Sequence, residues 1–482
     1  MHSSFTVPLR FSRNSEDRTI IGADIKPLVY DLTPAEANQA RFADRLVAKP
    51  RVDIGKYTCK AVIDWVWMEF EVGHSTKTGK EAQSRWISDK LKPILGKNPM
   101  VTGPRVPYDA ESWSNYQGAD FRIKVQDPNS QKMLKVRDLI HRGWTLARPM
   151  RIIGIEVSMD WRSNDQSDQE RWEMVAALQR HHFPDSPNLN GPRADLRHTY
   201  NHPRSKLPAK EAKKGKSEFV VQNPTRRYVE LKNGERMYGA SAEDMENGKK
   251  VFEIDESVNS RSKSDRDVRD PKVRRGGILG DNTIQAPFID GTLYLGERGA
   301  PVMFSIQNKV KDGRNSKTEP PIELGPKDRR ARLEVRLLGE AVSKYGFNTL
   351  EGLFAFRFEA LREGLFEFWL PTFWGSPEED GSLKGVRLNA KGQSQRKAFV
   401  IGGLYAHQIR EEALRLEEKE NRNRWRNSGL EVSSMNRSGR GKTGKLKAWS
   451  ELNEQCRDAL YNMSRRWDPE LLFKANEKAR GA

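Results

Sequence analysis

Short runs of alternating or clustered apolar residues recur along the chain and predict β-strands. The predicted strands are, in chain order, Cys59–Val72, Ala119–Gln126, Met150–Trp161, Thr292–Leu295, Val302–Ile306 and Arg332–Leu338. Strict alternation along the first of them would place one set of side chains on each face of a sheet. One face would carry Val62, Asp64, Val66, Met68 and Phe70, and the other Trp65, Trp67 and Glu69.

Helical spacing of apolar residues predicts a second set of elements. A Thr-Pro pair before Ala35–Leu46 is typical of a helix start, so this segment is predicted to be helical. The other predicted helices are Thr78–Leu95, Lys132–Thr145, Ser167–Gln179, Thr349–Glu363, a long helix from about Gly403, and Ala448–Trp467. Together the patterns predict an α+β fold, with an antiparallel sheet of about five to six strands and helices on one face.

Changes in composition divide the chain. We expect an N-terminal arm at 1–55, a central domain at 56–375 that contains a charged insertion at 188–279, and a basic helical C-terminal region at 398–482. A Ser/Gly/Arg-rich linker at 427–447 contains G-R-G-K-T-G-K, which imitates a phosphate-binding loop. Leu446 follows where such loops have Ser or Thr, and no apolar strand precedes it, so a flexible basic linker is the expected interpretation.

The charge balance favours polyanionic partners. The 482 residues include 84 Lys and Arg against 66 Asp and Glu, a formal net charge of +18. An excess of this size supports nucleic-acid binding through counterion release, although basic tails alone could also produce it. Two cysteines, Cys59 and Cys456, predict neither a disulfide framework nor a zinc site. No run is long and apolar enough for a membrane span, so a cytoplasmic location without a membrane partner is expected.

Three motifs follow one another between Ile289 and Leu338. The first strand carries T-x-Y-x-G-x-R, the second ends in I-Q-N-K, and the third has R-L-E-V-R-L. The residues concerned are Thr292, Tyr294, Gly296, Arg298, Ile306, Asn308, Lys309, Arg332, Leu333, Glu334, Val335 and Leu337. This stretch resembles the plasmid rolling-circle replication initiation factor family and the related relaxases of conjugative elements. The resemblance extends over roughly 62–370 and includes Asp64 in a V-I-D-W segment.

The resemblance implies a DNA-nicking enzyme. Members of the family cut one strand when a tyrosine attacks a phosphodiester and becomes linked to the 5′ end, with help from a carboxylate-held metal. The nucleophilic tyrosine of the family lies where this chain has Gln307. An amide is no comparable nucleophile. Either a displaced tyrosine, Tyr294 or Tyr345, takes its place, or the protein binds DNA without cutting it.

The same resemblance implies a set of metal ligands. Glu156 and Asp160 match two acids of a family segment, and Glu334 lies in the third motif. These three carboxylates would suit Mg²⁺ or Mn²⁺, which prefer oxygen ligands. Four strand residues separate Glu156 from Asp160, or roughly 13 Å, so the two need not share one ion. The alternative is that the acids pair with nearby arginines, such as Arg151, Arg162, Arg332 or Arg336.

Several basic residues are candidates for contacts with DNA. They are Lys309, Arg298, Arg332 and Arg336 in the motifs, and Arg274 and Arg275 in the insertion. The adjacent His181 and His182 would point to opposite faces of a strand and do not predict a shared metal. Two functions stay open on the motifs: a metal-dependent nicking initiator, and an origin-binding initiator that does not nick. A third, an RNA-binding or structural nucleoid protein, rests on charge alone. The first two predict duplex and single-stranded DNA as partners, with a host helicase or a second copy of the chain as further candidates.

Overall fold

The computed structural model describes residues 4–11, 25–36, 40–73, 80–96, 99–105, 118–184, 196–199, 219–222, 228–230, 236–238, 288–296, 300–312, 322–377, 386–427 and 445–467. Its strands are β1 Ser4–Val7, β2 Leu28–Pro34, β3 Arg45–Pro50, β4 Tyr57–Gly73, β5 Met100–Arg105, β6 Gly118–Gln126, β7 Leu146–Ser163, β8 Leu196–Thr199, β9 Phe219–Gln222, β10 Tyr228–Glu230, β11 Arg236–Tyr238, β12 Thr292–Leu295, β13 Val302–Lys309, β14 Lys311–Asp312, β15 Ile322–Glu323, β16 Arg330–Leu338, β17 Trp369–Leu370, β18 Thr372–Pro377, β19 Val386–Leu388 and β20 Lys447–Ala448.

The helices lie between these strands and at the C-terminal side. They are α1 Lys80–Leu95, α2 Ser130–Gly143, α3 Asp168–His181, α4 Glu340–Lys344, α5 Leu350–Ala355, α6 Arg362–Leu365, α7 Ala390–Asn427 and α8 Ser450–Trp467, with 3-10 turns at Ala40–Phe42, Ile54–Lys56, Pro326–Asp328 and Phe358–Leu361. The α+β class with antiparallel sheets is confirmed.

The largest sheet has the order β12-β13-β16-β7-β4-β6-β5, extended beyond β12 by β8 to β11 from the predicted insertion. All of its pairs are antiparallel. Its two longest strands, β4 and β7, lie at the centre and pair along most of their length. The six strands predicted from alternation are all present, whereas the short strands β5 and β8 of this sheet were not predicted.

The described helices that pack on this sheet cover one of its faces, whereas α7 packs on α3 and β18. Apolar residues of β4, β7 and β16 alternate toward α3 and α8, where Trp161 donates its indole N–H to Gln455 of α8 at 2.9 Å. The buried stripe of α2 is Met133, Val136 and Ile140. We call the opposite side the open face; it carries Glu156, Glu334 and their row neighbours. The prediction of helices on one face is therefore confirmed for the described residues.

The N-terminal segment differs from the prediction. The helix expected over Ala35–Leu46 is wrong for its described residues, because β2 ends at Pro34, a 3-10 turn covers Ala40–Phe42 and β3 begins at Arg45 and pairs antiparallel with β2. The strands β1, β2 and β3 form a second, five-stranded sheet with β18 and β19. The segment expected as an arm therefore contributes three strands, and the partner strand β18 lies more than 300 residues away. Local pattern cannot reveal a pairing over that distance.

Two helical predictions also need correction in detail. The helix predicted over Thr349–Glu363 is divided into α5, a 3-10 turn and α6. The long helix α7 begins at Ala390, earlier than expected, and is kinked at Gly403. Gly403 has φ of +63°, and a Cβ there would meet the backbone of Arg180 at 2.7 Å. Glycine thus allows α7 to pass directly against the end of α3.

Candidate functional site: an acidic cluster on the open face

Cross-strand register places the polar residues of the third motif beside those of β7. One row runs from Gln307 through Arg332 and Asp160 to Lys60. The next row contains Ser305, Glu334 and Ser158. The third row contains Met303, Arg336, Glu156 and Trp65. These rows form a polar centre on the open face, because every second residue of each strand points to the same side.

Three carboxylates converge within these rows. Each of Asp64, Glu156 and Glu334 offers an oxygen, and these oxygens lie within 4.8 Å of one another. They come from β4, β7 and β16, and all three residues are half-buried. We call this set the acidic cluster.

A β-bulge brings Asp64 into the cluster. In the pairing of β4 with β7, Ile63 lies opposite Val157 and Trp65 opposite Glu156, so Asp64 is an extra residue on β4. An extra residue breaks the alternation and re-aims the side chains around it. Asp64 therefore lies on the same face as Trp65, whereas strict alternation had placed it with Val66. That part of the predicted facing was wrong.

Hydroxyl and amide groups hold the acidic cluster in place. Ser305 donates to Glu334 Oε2 at 2.6 Å, and Gln307 donates through Nε2 to Glu334 Oε1 at 2.6 Å. Ser158 donates a hydrogen bond to Asp64 Oδ2. Arg332 Nη1 lies 2.9 Å from Asp64 Oδ2 and 3.6 Å from Glu334 Oε1. The carboxylates are thus oriented by groups from neighbouring strands.

Asp160 lies in a different environment. Arg332 donates to Asp160 at 2.5 and 2.8 Å, Arg330 Nε lies 2.9 Å from Asp160 Oδ2, and Arg162 Nη2 lies 3.6 Å from that oxygen. Of the three acids that the resemblance suggested as metal ligands, Glu156 and Glu334 lie in the acidic cluster, whereas Asp160 is paired with arginines. Four residues along β7 separate Asp160 from Glu156, which is too far for one small ion.

The pKa values follow these environments. Burial, with Glu334 and Asp64 close by, raises the pKa of Glu156 to about 7. Burial also raises the pKa of Asp64, although Arg332 and Ser158 act in the opposite direction. Burial would raise the pKa of Asp160 as well, but hydrogen bonds from Arg332 and the charges of three arginines lower it. Crowded carboxylates that resist ionisation are the environment in which a divalent cation removes repulsion.

Asp160 is surrounded by more cationic side chains than its single negative charge neutralises. Three arginines face this one carboxylate, and Lys309 of β13 lies opposite Arg330 of β16. Lys309 also lies 3.3 Å from Asp312. We call Lys60, Arg162, Lys309 and Arg330 the basic band; it borders the acidic cluster on the Asp160 side. A band of this charge suits the phosphates of a nucleic acid.

The other predicted site residues lie at varied distances from the cluster. Tyr294 of β12 is opposite Ser305, whose hydroxyl contacts Glu334. Tyr345 follows α4, stacks on Phe347 with ring centroids 6.0 Å apart, and has a pKa raised by burial. Arg336 is opposite Glu156 in the third row. Three further candidates, Arg298, Arg274 and Arg275, lie outside the described residues.

Sequence reasoning did not select several residues around the site. Asp64 was matched to the family pattern but was not included in the predicted metal set. Arg330 and Lys60 had no motif to mark them. Lys124 of β6 lies with its ammonium 4.4 Å from the ring centroid of Trp65 and within the field of Glu156. Only cross-strand register connects these residues to the acidic cluster.

The adjacent histidines are structural. His181 bonds through Nδ1 to the Trp369 carbonyl at 2.7 Å and receives the Tyr30 hydroxyl at Nε2 at 2.9 Å. His182 bonds through Nε2 to the Leu365 carbonyl at 2.9 Å. Burial lowers the pKa of His181 to about 3 and that of His182 to about 4.

The lysine that ends the loop-like motif also has a structural partner. Lys445 lies 3.1 Å from Glu411 Oε2 on α7, and Arg45 lies 2.7 Å from Glu411 Oε1. The other residues of the G-R-G-K-T-G-K segment lie outside the described part of the chain. The ammonium of Lys445 thus joins the segment before β20 to α7.

Comparisons with known proteins give little further information. No protein-family model matches the sequence, and none of the curated proteins matches it. Among solved structures, a rolling circle replication initiator protein from Geobacillus stearothermophilus aligns at 11% identity, over 68% of this chain and 90% of that chain, with a TM-score of 0.22. A likeness at this level does not establish a function, so the chemistry of the site has to be inferred from this chain's own residues. Within the described residues, no helix combines the length and apolar character needed to cross a bilayer.

Proposed function

We propose that this protein is a DNA-binding replication initiator that acts on one DNA strand at the acidic cluster, with a divalent metal. The observation that carries the proposal is the convergence of Asp64, Glu156 and Glu334 within 4.8 Å on the open face. The sequence resemblance to rolling-circle initiators supports the same class independently. The formal charge of +18 supports a nucleic-acid partner.

The donor set suits Mg²⁺ or Mn²⁺. All three groups are carboxylates, which hard cations prefer, and the raised pKa of Glu156 reports repulsion that a cation would relieve. A metal bound there would withdraw charge from a phosphodiester. Gln307 and Ser305 would hold Glu334 in orientation, and Arg332 would do the same for Asp64. The basic band would bind the neighbouring phosphates.

Tyr294 is the better supported of the two candidate nucleophiles. Residues directly opposite on paired strands have Cβ atoms roughly 5 Å apart, so Tyr294 lies one strand from the serine that contacts Glu334. Tyr345 lies beyond the end of β16, against Phe347. In the proposed step the phenolic oxygen of Tyr294 attacks phosphorus and the bond to the 3′-oxygen breaks. The products would be a 5′-phosphotyrosine and a free 3′-hydroxyl, which takes up the proton lost by the phenol.

The experiment is a nicking assay on supercoiled DNA that carries the region upstream of the protein's own gene, with Mg²⁺ or Mn²⁺ and a denaturing gel. We expect an open circle with protein on a 5′ end, lost in Asp64→Asn, Glu334→Gln and Tyr294→Phe. Glu363→Gln is the matched control, because Glu363 is an exposed acid with its side chain 80% exposed. Nicking that survives both acid variants would reject the cluster as the site. An adduct that survives Tyr294→Phe would reject only that nucleophile.

A second function, origin binding without nicking, is favoured by one observation. The amide of Gln307 donates to Glu334 at the position where the resemblance expects a tyrosine. If this function is correct, the plasmid is bound at a defined site but stays intact with either metal. Gln307→Tyr would then place a phenol beside Glu334, and we expect an adduct at position 307 in that variant. A wild-type protein that nicks would exclude this second function.

A further inference from the structure

The row beyond the acidic cluster is apolar except for Lys124. Leu338, Gly154, Trp67, Lys124 and Met100 lie opposite one another across β16, β7, β4, β6 and β5. Trp65 lies in the row before, with its ring centroid 5.7 Å from that of Trp67. We call Trp65, Trp67, Leu338 and Met100 the aromatic shelf. Its register with Lys124 places it on the open face, beside the cluster.

The aromatic shelf is a built feature of the sheet. A Cβ on Gly154 would meet Leu338 Cδ2 at 2.8 Å and Trp65 Cζ3 at 3.3 Å, so glycine lets these two side chains close over β7. Trp65 is buried beneath Lys124, while Trp67 and Leu338 are half-buried. Met100 is 51% exposed, which makes it one of four large exposed apolar side chains among the described residues. The side chains of the aromatic shelf are thus packed against β7 on their inner side, and Met100 is accessible on their outer side.

The shelf is continuous with the acidic cluster. Trp65 directly follows Asp64 in the bulge and lies opposite Glu156 on β7. Neighbouring rows on one face lie roughly 7 Å apart along the strands. A group held at the cluster and a group lying on the shelf therefore belong to adjacent parts of one ligand.

We propose that the aromatic shelf binds an unpaired base of a DNA strand, next to the phosphate held at the acidic cluster. This inference rests on the proposed function and adds to it the surface that would hold an unpaired base beside the reacting phosphate. Aromatic side chains stack on bases of any sequence, and bases inside a duplex are not available for stacking. Lys124, whose ammonium lies 4.4 Å from the ring centroid of Trp65, supplies the positive charge that a nucleotide requires.

The charges around the shelf favour a nucleotide over an apolar peptide. On the cluster side the row contains Arg336, and on the outer side Arg122 and Arg151 flank Glu69 at 2.6 and 2.9 Å. Arginines on both borders, with two indole rings inclined at 43° between them, match a base with phosphates on either side. The shelf then sets which nucleotide lies next to the reacting phosphate.

The test measures binding of a labelled single DNA strand about 12 nucleotides long, which is within the usual range of site sizes for one domain. The same sequence is measured as a duplex, and both are followed by fluorescence anisotropy in EDTA. Trp67→Ala is expected to weaken binding of the single strand by about 5- to 100-fold and to leave duplex binding unchanged. Trp67→Phe keeps a ring and should remain close to the wild type. Trp86→Ala is the matched control, because Trp86 is a tryptophan 51% exposed on α1.

A modified DNA strand tests the stacking on the wild-type protein, so the result does not depend on whether Trp67→Ala folds. An abasic strand of the same length keeps the phosphates and removes the stacking surface. We expect the wild type to bind it as weakly as Trp67→Ala binds the normal strand, with little further loss in the variant. Equal binding of normal and abasic strands by the wild type would overturn the proposal, as would equal losses in Trp67→Ala and Trp86→Ala. An RNA strand that binds more tightly than DNA would overturn the choice of DNA.

The two proposals fail separately. Binding in EDTA does not require a metal, so a protein without a working cluster can still show the stacking effect. Asp64→Asn should abolish nicking and keep the difference between normal and abasic strands. If nicking is absent and the stacking effect is present, only the catalytic proposal fails. If nicking depends on Asp64 and the stacking effect is absent, only the shelf proposal fails.

Discussion

At the scale of single residues, Arg332 connects the two acidic environments of the open face. Its guanidinium is buried, with two hydrogen bonds to Asp160 and one to Asp64. Burial would lower the pKa of Arg332, but the hydrogen bonds and charges of these acids raise it overall. Arginine stays ionised in proteins, so it can hold Asp160 as a carboxylate and orient Asp64 at once.

Replacing Arg332 should be costly. Arg332→Met leaves Asp160 buried with Arg330 and Arg162 as its remaining partners, so we expect a loss of about 3 kcal/mol in the free energy of unfolding, at the low end for a broken buried pair. Urea unfolding measures it. The double variant Arg332→Met, Asp160→Leu also removes the buried charge of Asp160, so it should recover part of the lost stability. If the double variant is less stable than the single one, Asp160 is not the residue that Arg332 neutralises.

Replacing Glu156 should stabilise the protein, whereas replacing Arg332 should destabilise it. Its pKa rises from 4.5 to about 7 on folding, so the folded chain holds this proton more tightly than the unfolded chain. The resulting stabilisation is complete below pH 4.5 and is lost as the pH rises through 7. Without metal, Glu156→Gln should therefore stabilise the protein by about 2 kcal/mol at about pH 8 and hardly at all at about pH 4, as urea unfolding at the two pH values would measure.

Addition of a metal ion provides a second test of Glu156. Mn²⁺ should raise the melting temperature of the wild type at about pH 8 and have a smaller effect below about pH 6, where a proton competes for Glu156. Glu156→Gln should show neither the shift nor its dependence on pH. A variant that gains as much from Mn²⁺ as the wild type would remove Glu156 from the set of metal ligands.

At the scale of elements, α8 completes the core of the large sheet. It packs on β4 and carries the buried residues Leu452, Cys456, Leu460 and Met463. Gln455 of α8 donates to the Ile54 and Tyr57 carbonyls, and Trp161 of β7 donates to Gln455. The C-terminal region that composition separates from the central domain thus shares its core.

Truncating a core side chain of α8 should therefore destabilise the whole chain. We expect Leu460→Ala to lower the free energy of unfolding by about 2 to 5 kcal/mol, because Leu460 is fully buried. Tyr461→Ala, at the next position and 48% exposed, is the control and should cost far less. Coincident loss of near-ultraviolet and far-ultraviolet circular dichroism would show one cooperative unit. Separate transitions would mean that α8 unfolds independently.

The bulge in β4 is the element-scale feature on which the site depends. Before it, Ala61 and Ile63 point to the core; after it, Val66 and Met68 do. The side chains of Asp64 and Trp65 are both left on the open face, one in the acidic cluster and the other in the aromatic shelf. One inserted residue thus supplies both parts of the proposed site.

At the scale of the whole molecule, buried neutral histidines connect the helices α3 and α7 with strands outside the large sheet. His181 connects Tyr30 of β2 with the Trp369 carbonyl of β17, and His407 of α7 bonds to the Thr372 carbonyl at 3.0 Å. Burial lowers the pKa of His407 to about 4, as it lowers those of His181 and His182. These three rings must stay uncharged for the layers to pack.

The protein should consequently lose stability in mild acid. An unfolded histidine takes up a proton near pH 6.5, whereas the folded rings resist protonation until about pH 3 to 4. Stability from these groups is complete above about pH 6.5 and falls as the pH drops toward about 4, by up to about 4 kcal/mol per pH unit for three protons. Urea unfolding from about pH 7 to about 4.5 measures the slope.

A histidine variant separates this effect from that of the carboxylates. His182→Gln should reduce the slope of unfolding free energy against pH by the contribution of about one proton. The variant should still fold, because the glutamine amide can donate to the Leu365 carbonyl. Exposed His141 is the control position, and His141→Gln should leave the slope unchanged. A wild-type stability that rises as the pH falls through this range would contradict the assignment of neutral buried histidines.

The sequence by itself determined the local elements and the chemistry available to them. Alternation identified six strands of the large sheet, and helical spacing identified α1, α2, α3 and α8, because burial of every second or every third to fourth residue is a local property. The motif of β16 and the matching segment of β7 pointed to Glu334 and Glu156, and the charge balance pointed to a nucleic-acid partner. None of this depends on how distant segments pair.

Only the tertiary structure decided which of these side chains meet. Asp64 joins Glu156 and Glu334, and Asp160 is taken by arginines, because a one-residue bulge and the register of β4, β7 and β16 set the contacts. The pairing of β3 with β18 and the closing of Trp65 and Leu338 over Gly154 are decided in the same way. A shift of one residue in register reverses every side chain on a strand, and register is fixed by packing between segments that are distant in the sequence.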